Sequence, residues 1–192
     1  MPRRMRGREV SMIGARTQES AIAATGDHSA VRSAFALTGF LAASFLVAVV
    51  GSALSATAIS GWYDDLAKPM WTPPNAVFGP VWTVLYSSMA VAAWLVWRHP
   101  ASTARRRALG AYVVQLVLNG VWTPVFFGLG SLIGASGLWI ALGIIVALDF
   151  AILAAIIRFA DISNPAAALL IPYWFWTLFA TTLNAAIAVL AA

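Results

Sequence analysis

Residues 108–148 form a run of 41 residues without a single charge. No other feature limits the fold as tightly. A helix needs about 20 apolar residues to cross a bilayer. The run is therefore too long for one tilted helix and the right length for two helices with a turn. The turn signal lies among Gly128, Gly130, Ser131, Gly134, Ser136 and Gly137. This reading places spans at about 107–128 and 137–159. The uncharged stretch 33–61 supplies an earlier span and 78–97 a second. A last one runs from Pro165 to the end, with Asn164-Pro165 as its start signal. Apolar residues make up 61% of the 192 and charged residues only 10%, against roughly 25% charged in a soluble domain. A globule this small could not hide that much apolar surface. Lipid-exposed backbone must satisfy its own hydrogen bonds, so the expected fold class is an all-α membrane protein, a bundle of five transmembrane helices.

Charge placement agrees with five spans. Six of the 12 Lys and Arg lie in residues 1–32, and Arg98, Arg105, Arg106, Arg107 and Arg158 fall in the loops expected on the same side. Only Lys68 lies opposite. The bias puts the N-terminus in the cytoplasm and the C-terminus outside. Residues 1–32 are expected to be a disordered basic tail, and 33–192 the membrane domain. The net charge of +5 has anionic lipid headgroups, not nucleic acid, as its expected partner. The chain has no Cys and only His28 and His99. A disulfide framework, a thiolate site and a multi-histidine metal centre are all excluded, and no metal is expected.

The loop between the first two spans reads WYDDLAKPMWTPPNAVFGPVW, residues 62–82. It holds three Trp, four Pro, Asp64, Asp65 and Lys68. An interfacial aromatic belt would account for the Trp and Tyr. It would not account for so much proline, which stiffens the chain into extended paths. An ordered lid does, built from Trp62, Tyr63, Lys68, Pro69, Trp71, Pro73 and Pro74. Lys68 is expected to order it through ion pairs with Asp64 and Asp65, or to meet an acidic ligand group.

That loop followed by TVLY resembles the signature of the tryptophan-rich sensory protein / translocator protein (TspO/MBR) family. LNGVWTPVFFG at 118–128 and IPYWFWTLFATTLNAAI at 171–187 resemble its third- and fifth-helix motifs. The resemblance spans about residues 33–192. It implies five helices around a pocket with the Trp/Pro-rich loop as lid, and a homodimer. It implies binding of porphyrins, of synthetic isoquinoline-carboxamide or benzodiazepine-type ligands and, in animal members, of cholesterol. No cofactor is required; protoporphyrin IX or haem would be a ligand. A sensor, regulator or transporter in tetrapyrrole or stress metabolism is the leading expectation. A light- and oxygen-dependent porphyrin-degrading enzyme using Trp82 and Trp176 is one alternative, and a lipid or sterol transporter another. Animal members follow the fifth-helix block with Tyr and then Arg in a cholesterol motif. Here the chain continues from Asn184 with neither, which counts against sterol binding there.

Helical spacing adds its own evidence. Residues three and four apart share a face. The second span groups Trp82, Tyr86 and Met89, and the third groups Gln115, Asn119 and Trp122. The fifth groups Trp176, Ala180 and Asn184, beside a strip of Tyr173, Thr177 and Thr181. Each span offers ring faces and a polar group, as a site for a flat apolar molecule requires. The expected ligand-binding residues are Trp82, Tyr86, Asn119, Trp122, Tyr173, Trp176, Ala180 and Asn184. The resemblance implies that Trp82 and Trp176 are the aromatic pair and Ala180 the small position that sets helix packing. Asn119, Gln115 and Asn184 could instead only bond between helices. No conventional catalytic set is present. Pro80 and Pro124 are expected to kink their helices. Asp149, a carboxylate inside a span, is costly there and a candidate for a ligand or proton role; mid-helix, it would face a neighbour's Thr or Trp.

Overall fold

The computed structural model describes the backbone of residues 3–192 and the side chains of 30–192 except residues 57, 59 and 60. The side chains of most of the basic N-terminal stretch, expected as a tail, lie outside that description. Contacts divide the chain into two compact units, 1–38 and 39–192. Helix α1 covers Arg3–Ala58 and ends in a π-helical turn, Ile59–Tyr63. The second unit continues through α2 (Asn75–Trp97), α3 (Thr103–Pro124), a second π turn (Val125–Leu129), the short α4 (Gly130–Ile133), α5 (Ala135–Ala160) and α6 (Asn164–Leu190). Among the described residues, five stretches are long and apolar enough to cross a membrane: Ala30–Ala56, Asn75–Trp97, Thr103–Ile133, Ala135–Ala160 and Asn164–Leu190.

The span in α6 is the most buried of the five and that in α1 the least. The helices meet over small side chains. Ala92, Ala93, Ala108, Ala155 and Ala166 are fully buried, which lets backbones approach closely where lipid supplies no hydrophobic drive. Large apolar side chains point outward instead, among them Val113, Val117 and Val121 on α3 and Phe150 and Ile157 on α5. In water such surface would drive association; in lipid it is solvated.

Of the boundaries that differ from the sequence expectation, three have a direct physical reason. The second span starts at Asn75 rather than 78, because Pro74 sits at the N-cap, where its missing N–H costs nothing. The third span runs on to Ile133: Pro124 yields to a wider π turn and the helix resumes. The broad turn expected over 128–137 shrinks to one residue, Gly134, at φ 62° and ψ −135°. That backbone is open to glycine almost alone. Gly137 then packs against the preceding turn so closely that a Cβ would lie 2.6 Å from the Leu129 carbonyl carbon.

The charged ends are tied down. Ser102 caps α3 by accepting from the Arg105 N–H at 3.1 Å. The Arg105 guanidinium donates to the carbonyls of Trp97 and His99 at 3.0 and 2.7 Å, closing the α2–α3 turn. Ser163 accepts from the Ala166 N–H at the start of α6.

Candidate functional site

A cavity of about 450 Å³ is bounded by α1, α2, α3 and α6. Its aromatic lining comes from Phe45, Tyr63, Phe78, Trp82, Trp122, Phe126, Phe127 and Trp176, and its polar lining from Ser52, Ser55, Asn75, Thr83, Tyr86, Asn119, Thr123 and Asn184. The rings support one another edge-on: Phe78 meets Trp176 at 5.8 Å, and Phe126 meets both Tyr63 and Phe127. Trp82 lies over Tyr86 at 5.5 Å with a 33° tilt.

A chain of buried hydrogen bonds backs the polar wall. The Tyr86 hydroxyl donates to Asn119 Oδ1 at 2.5 Å. Asn119 Nδ2 donates to the Tyr173 hydroxyl at 3.0 Å, and that hydroxyl donates to Gln115 Oε1 at 2.9 Å. One asparagine thus fixes two phenols from two other helices. A second bridge runs from Trp122 Nε1 to Asn184 Oδ1 at 3.2 Å, and from Asn184 Nδ2 to the Leu138 carbonyl at 3.0 Å. Among the described residues, two buried side-chain donors have no acceptor, Gln115 Nε2 and Trp176 Nε1. Unmade hydrogen bonds at buried groups are costly and mark places where a ligand or water can add stability.

Comparison with known proteins adds a second line. The model of the TspO/MBR family matches residues 40–190. The chain belongs to the TspO/MBR family. It is 38% identical to the human translocator protein over 148 residues, 76% of this chain and 84% of that protein. It is 35% identical to the tryptophan-rich protein TspO of Archaeoglobus fulgidus over 151 residues, 79% and 94% of the two chains. It is 37% identical to the tryptophan-rich sensory protein of Cereibacter sphaeroides over 145 residues, 76% and 84% of the two. With its five apolar helices, this TspO/MBR member is a multi-pass integral membrane protein.

The family fold brings together seven of the eight expected pocket residues: Trp82, Tyr86, Asn119, Trp122, Trp176, Ala180 and Asn184 all line the cavity. Tyr173 does not. It is fully buried behind the wall and holds Asn119 and Gln115. Met89 is likewise buried in the core rather than lining the cavity. Asp149 stands apart, buried at mid-helix between α5 and α6, with its carboxylate on a Thr and only its main chain on a Trp. Its Oδ2 accepts from Thr181 at 2.7 Å and its main-chain carbonyl from Trp174 Nε1 at 3.1 Å; Oδ1 has no partner.

The contribution of α1 escaped sequence reasoning. Phe45, Ala48, Gly51, Ser52 and Ser55 form one wall. The one signal for it was Gly51-x₃-Ser55, a small-residue pair that reads equally well as a helix-packing motif.

In the 62–82 loop the lysine has other partners than expected. Lys68 Nζ donates to the carbonyls of Asp64 and Leu66 at 3.0 and 3.4 Å and stands over the Tyr63 ring at 4.8 Å. It binds backbone, where ion pairs with the Asp64 and Asp65 carboxylates were the expectation, because three donors on a short loop reach carbonyls more directly. Asp64 instead accepts from Asn75 Nδ2 at 3.2 Å, joining the two ends of the loop. Thr72 bonds back to the Pro69 carbonyl through both its N–H and its hydroxyl. Trp62 packs on Phe126 and on Gly130, where a Cβ would lie 2.7 Å from its ring. Tyr63 lines the cavity, and burial, with the neighbouring Asp64, pushes its phenol above the usual range, so it is neutral near pH 7. Trp71 is largely exposed.

Proposed function

We propose that the cavity binds a flat, mostly apolar molecule of the tetrapyrrole class. The protein then acts as a ligand-responsive membrane binder, a sensor, regulator or transporter in tetrapyrrole or stress metabolism. The observation that carries this reading is the lining itself: aromatic side chains from α2, α3 and α6 around a space of about 450 Å³, within the range of small-molecule sites, with polar groups supplied by α1, α2, α3 and α6. Relatives named translocator protein and tryptophan-rich sensory protein support it. The charge bias supports a cytoplasmic N-terminus and an external C-terminus.

Ala180 tests the site directly. It is nearly buried and lines the cavity from α6. Ala180→Phe is expected to fill part of that space and weaken protoporphyrin binding at least about tenfold, a loss of roughly 1.4 kcal/mol. The measurement is the shift of the porphyrin absorption band on titration in nanodiscs. Unchanged affinity in a folded variant would place the ligand elsewhere.

Lys68 makes a contrasting prediction. Its ammonium is already held by carbonyls and the Tyr63 ring. Lys68→Ala is expected to speed proteolytic cleavage within 64–74 while changing porphyrin affinity by less than about threefold, the scale of an exposed charge. A large loss of affinity that disappears at high salt would instead assign Lys68 to an acidic group on the ligand.

A further inference from the structure

A second hollow lies on the outer face, away from the cavity, where α3 and α5 pack side by side. It measures about 470 Å³ and is lined by Arg107, Ala111, Val114, Ala151, Ala154 and Arg158. The two helices run in opposite directions, so the first turns of α3 and the last turns of α5 bring both arginines to one end. From there Arg107, Ala111 and Val114 descend one face of α3, at spacings of four and three. Ala151 and Ala154 descend the facing side of α5. Seven residues of helix cover about 10 Å, so a charged rim stands over a trough of about that depth, walled by three alanines and a valine.

Both arginines are exposed, and neither is engaged by another described residue. Their neighbour Arg105 is different, since its guanidinium is spent on the α2–α3 turn. Asp161, the acid nearest in sequence to Arg158, does not line the hollow. Two unpaired guanidinium groups at the edge of a greasy trough call for an occupant with an anionic head and an apolar tail.

We infer that this hollow is a binding site for one anionic phospholipid, its phosphate held between Arg107 and Arg158 and the first part of an acyl chain laid in the Ala111–Val114–Ala151–Ala154 trough. A guanidinium presents a fork of donors to phosphate oxygens. The end of the bundle carrying Arg98, Arg105, Arg106, Arg107 and Arg158 is the one that the charge bias turns toward the cytoplasmic leaflet, where anionic lipids concentrate. A second copy of the chain fits the hollow poorly. Two-fold pairing over it would press four arginines together without a counter-charge.

Native mass spectrometry of the full chain tests this, with phosphatidylglycerol and phosphatidylcholine of identical acyl chains added in equal amounts. The wild type is expected to retain phosphatidylglycerol with a preference of about thirtyfold, the scale of two arginines near an anionic lipid surface. Arg107→Gln/Arg158→Gln should abolish the preference. Ala151→Leu/Ala154→Leu fills the trough without altering charge and should also reduce retained phosphatidylglycerol. Helicity and monodispersity of each variant, checked first, separate loss of the site from loss of the fold. Equal retention of the two lipids by the wild type would overturn the assignment. So would loss of preference in the arginine variant with none in the alanine variant, since that means diffuse attraction without a seat. A change in oligomeric state in either variant would make the hollow a contact between copies instead.

Discussion

Gly137→Ala should unfold this protein at markedly lower temperature than the wild type, whereas Gly143→Ala, six residues further along α5, should not. The two changes add the same methyl group to the same helix. At Gly143 the new Cβ meets nothing within 4 Å, and replacing a helical glycine by alanine stabilises by up to about 1 kcal/mol. At Gly137 it would stand 2.6 Å from both the carbonyl carbon and the oxygen of Leu129 and 2.7 Å from the nitrogen of Gly130. Those are backbone atoms of the turn leading into Gly134, and no rotamer change can move them aside. Overpacking costs about 1–3 kcal/mol, occasionally more, and the upper end applies where the obstacle is backbone. The displacement would also reach the cavity. Leu138 follows Gly137 and offers the carbonyl that holds Asn184, which in turn holds the Trp122 indole. Loss of helical circular dichroism on heating in detergent measures both variants. Equal stability of the two would mean that α5 does not pack on this turn as described.

Asn119→Leu is the second large effect expected. Leucine shares asparagine's branching and number of heavy atoms but can bond to neither phenol. Interhelical hydrogen bonds in membranes average only about 0.6 kcal/mol, so the two lost bonds alone would amount to little more than 1 kcal/mol. The orphaned groups matter more. Tyr86 loses the acceptor of its hydroxyl, and Tyr173 loses the bond it accepts while keeping its own to Gln115, both in the buried interior. An unsatisfied buried group costs about 1–3 kcal/mol, and that range is the expected destabilisation. Tyr86→Phe removes one orphan in advance. The double variant should therefore be less destabilised than the sum of the singles. Strict additivity would show that Tyr86 and Asn119 are not coupled.

The five spans were legible because charge and hydropathy report lipid contact directly. The run 108–148 allowed only two helices, and the loops carried the arginines. Part of the cavity wall was legible for a related reason. Polar and aromatic side chains recurring every three or four residues in an otherwise apolar helix need a common partner, and Trp82, Tyr86, Asn119, Trp122, Trp176 and Asn184 do meet. Periodicity gives a face and not a depth. Tyr173 and Asn119 look equivalent in sequence, yet one lies behind the wall and the other in it. The α1 wall was hidden because Ala48, Gly51, Ser52 and Ser55 are what any close helix packing uses. The place of the α4–α5 break was hidden among several glycines, of which only Gly134 has positive φ. Lys68 had carboxylates next to it in sequence, but loop geometry put carbonyls nearer.

The central claim, that the aromatic cavity is the ligand site, is tested most directly by titrating the purified protein with protoporphyrin and following tryptophan fluorescence, with wild type and Trp176→Ala in parallel. Trp176 lines the cavity beside Phe78, and its buried Nε1 lacks an acceptor. The expected result is saturable quenching at low micromolar porphyrin in the wild type, on the order of −8 kcal/mol, and its loss in the variant. Weak, non-saturating quenching that is equal in both proteins would contradict the claim, because it would mean that porphyrin enters the surrounding lipid or detergent and not this cavity.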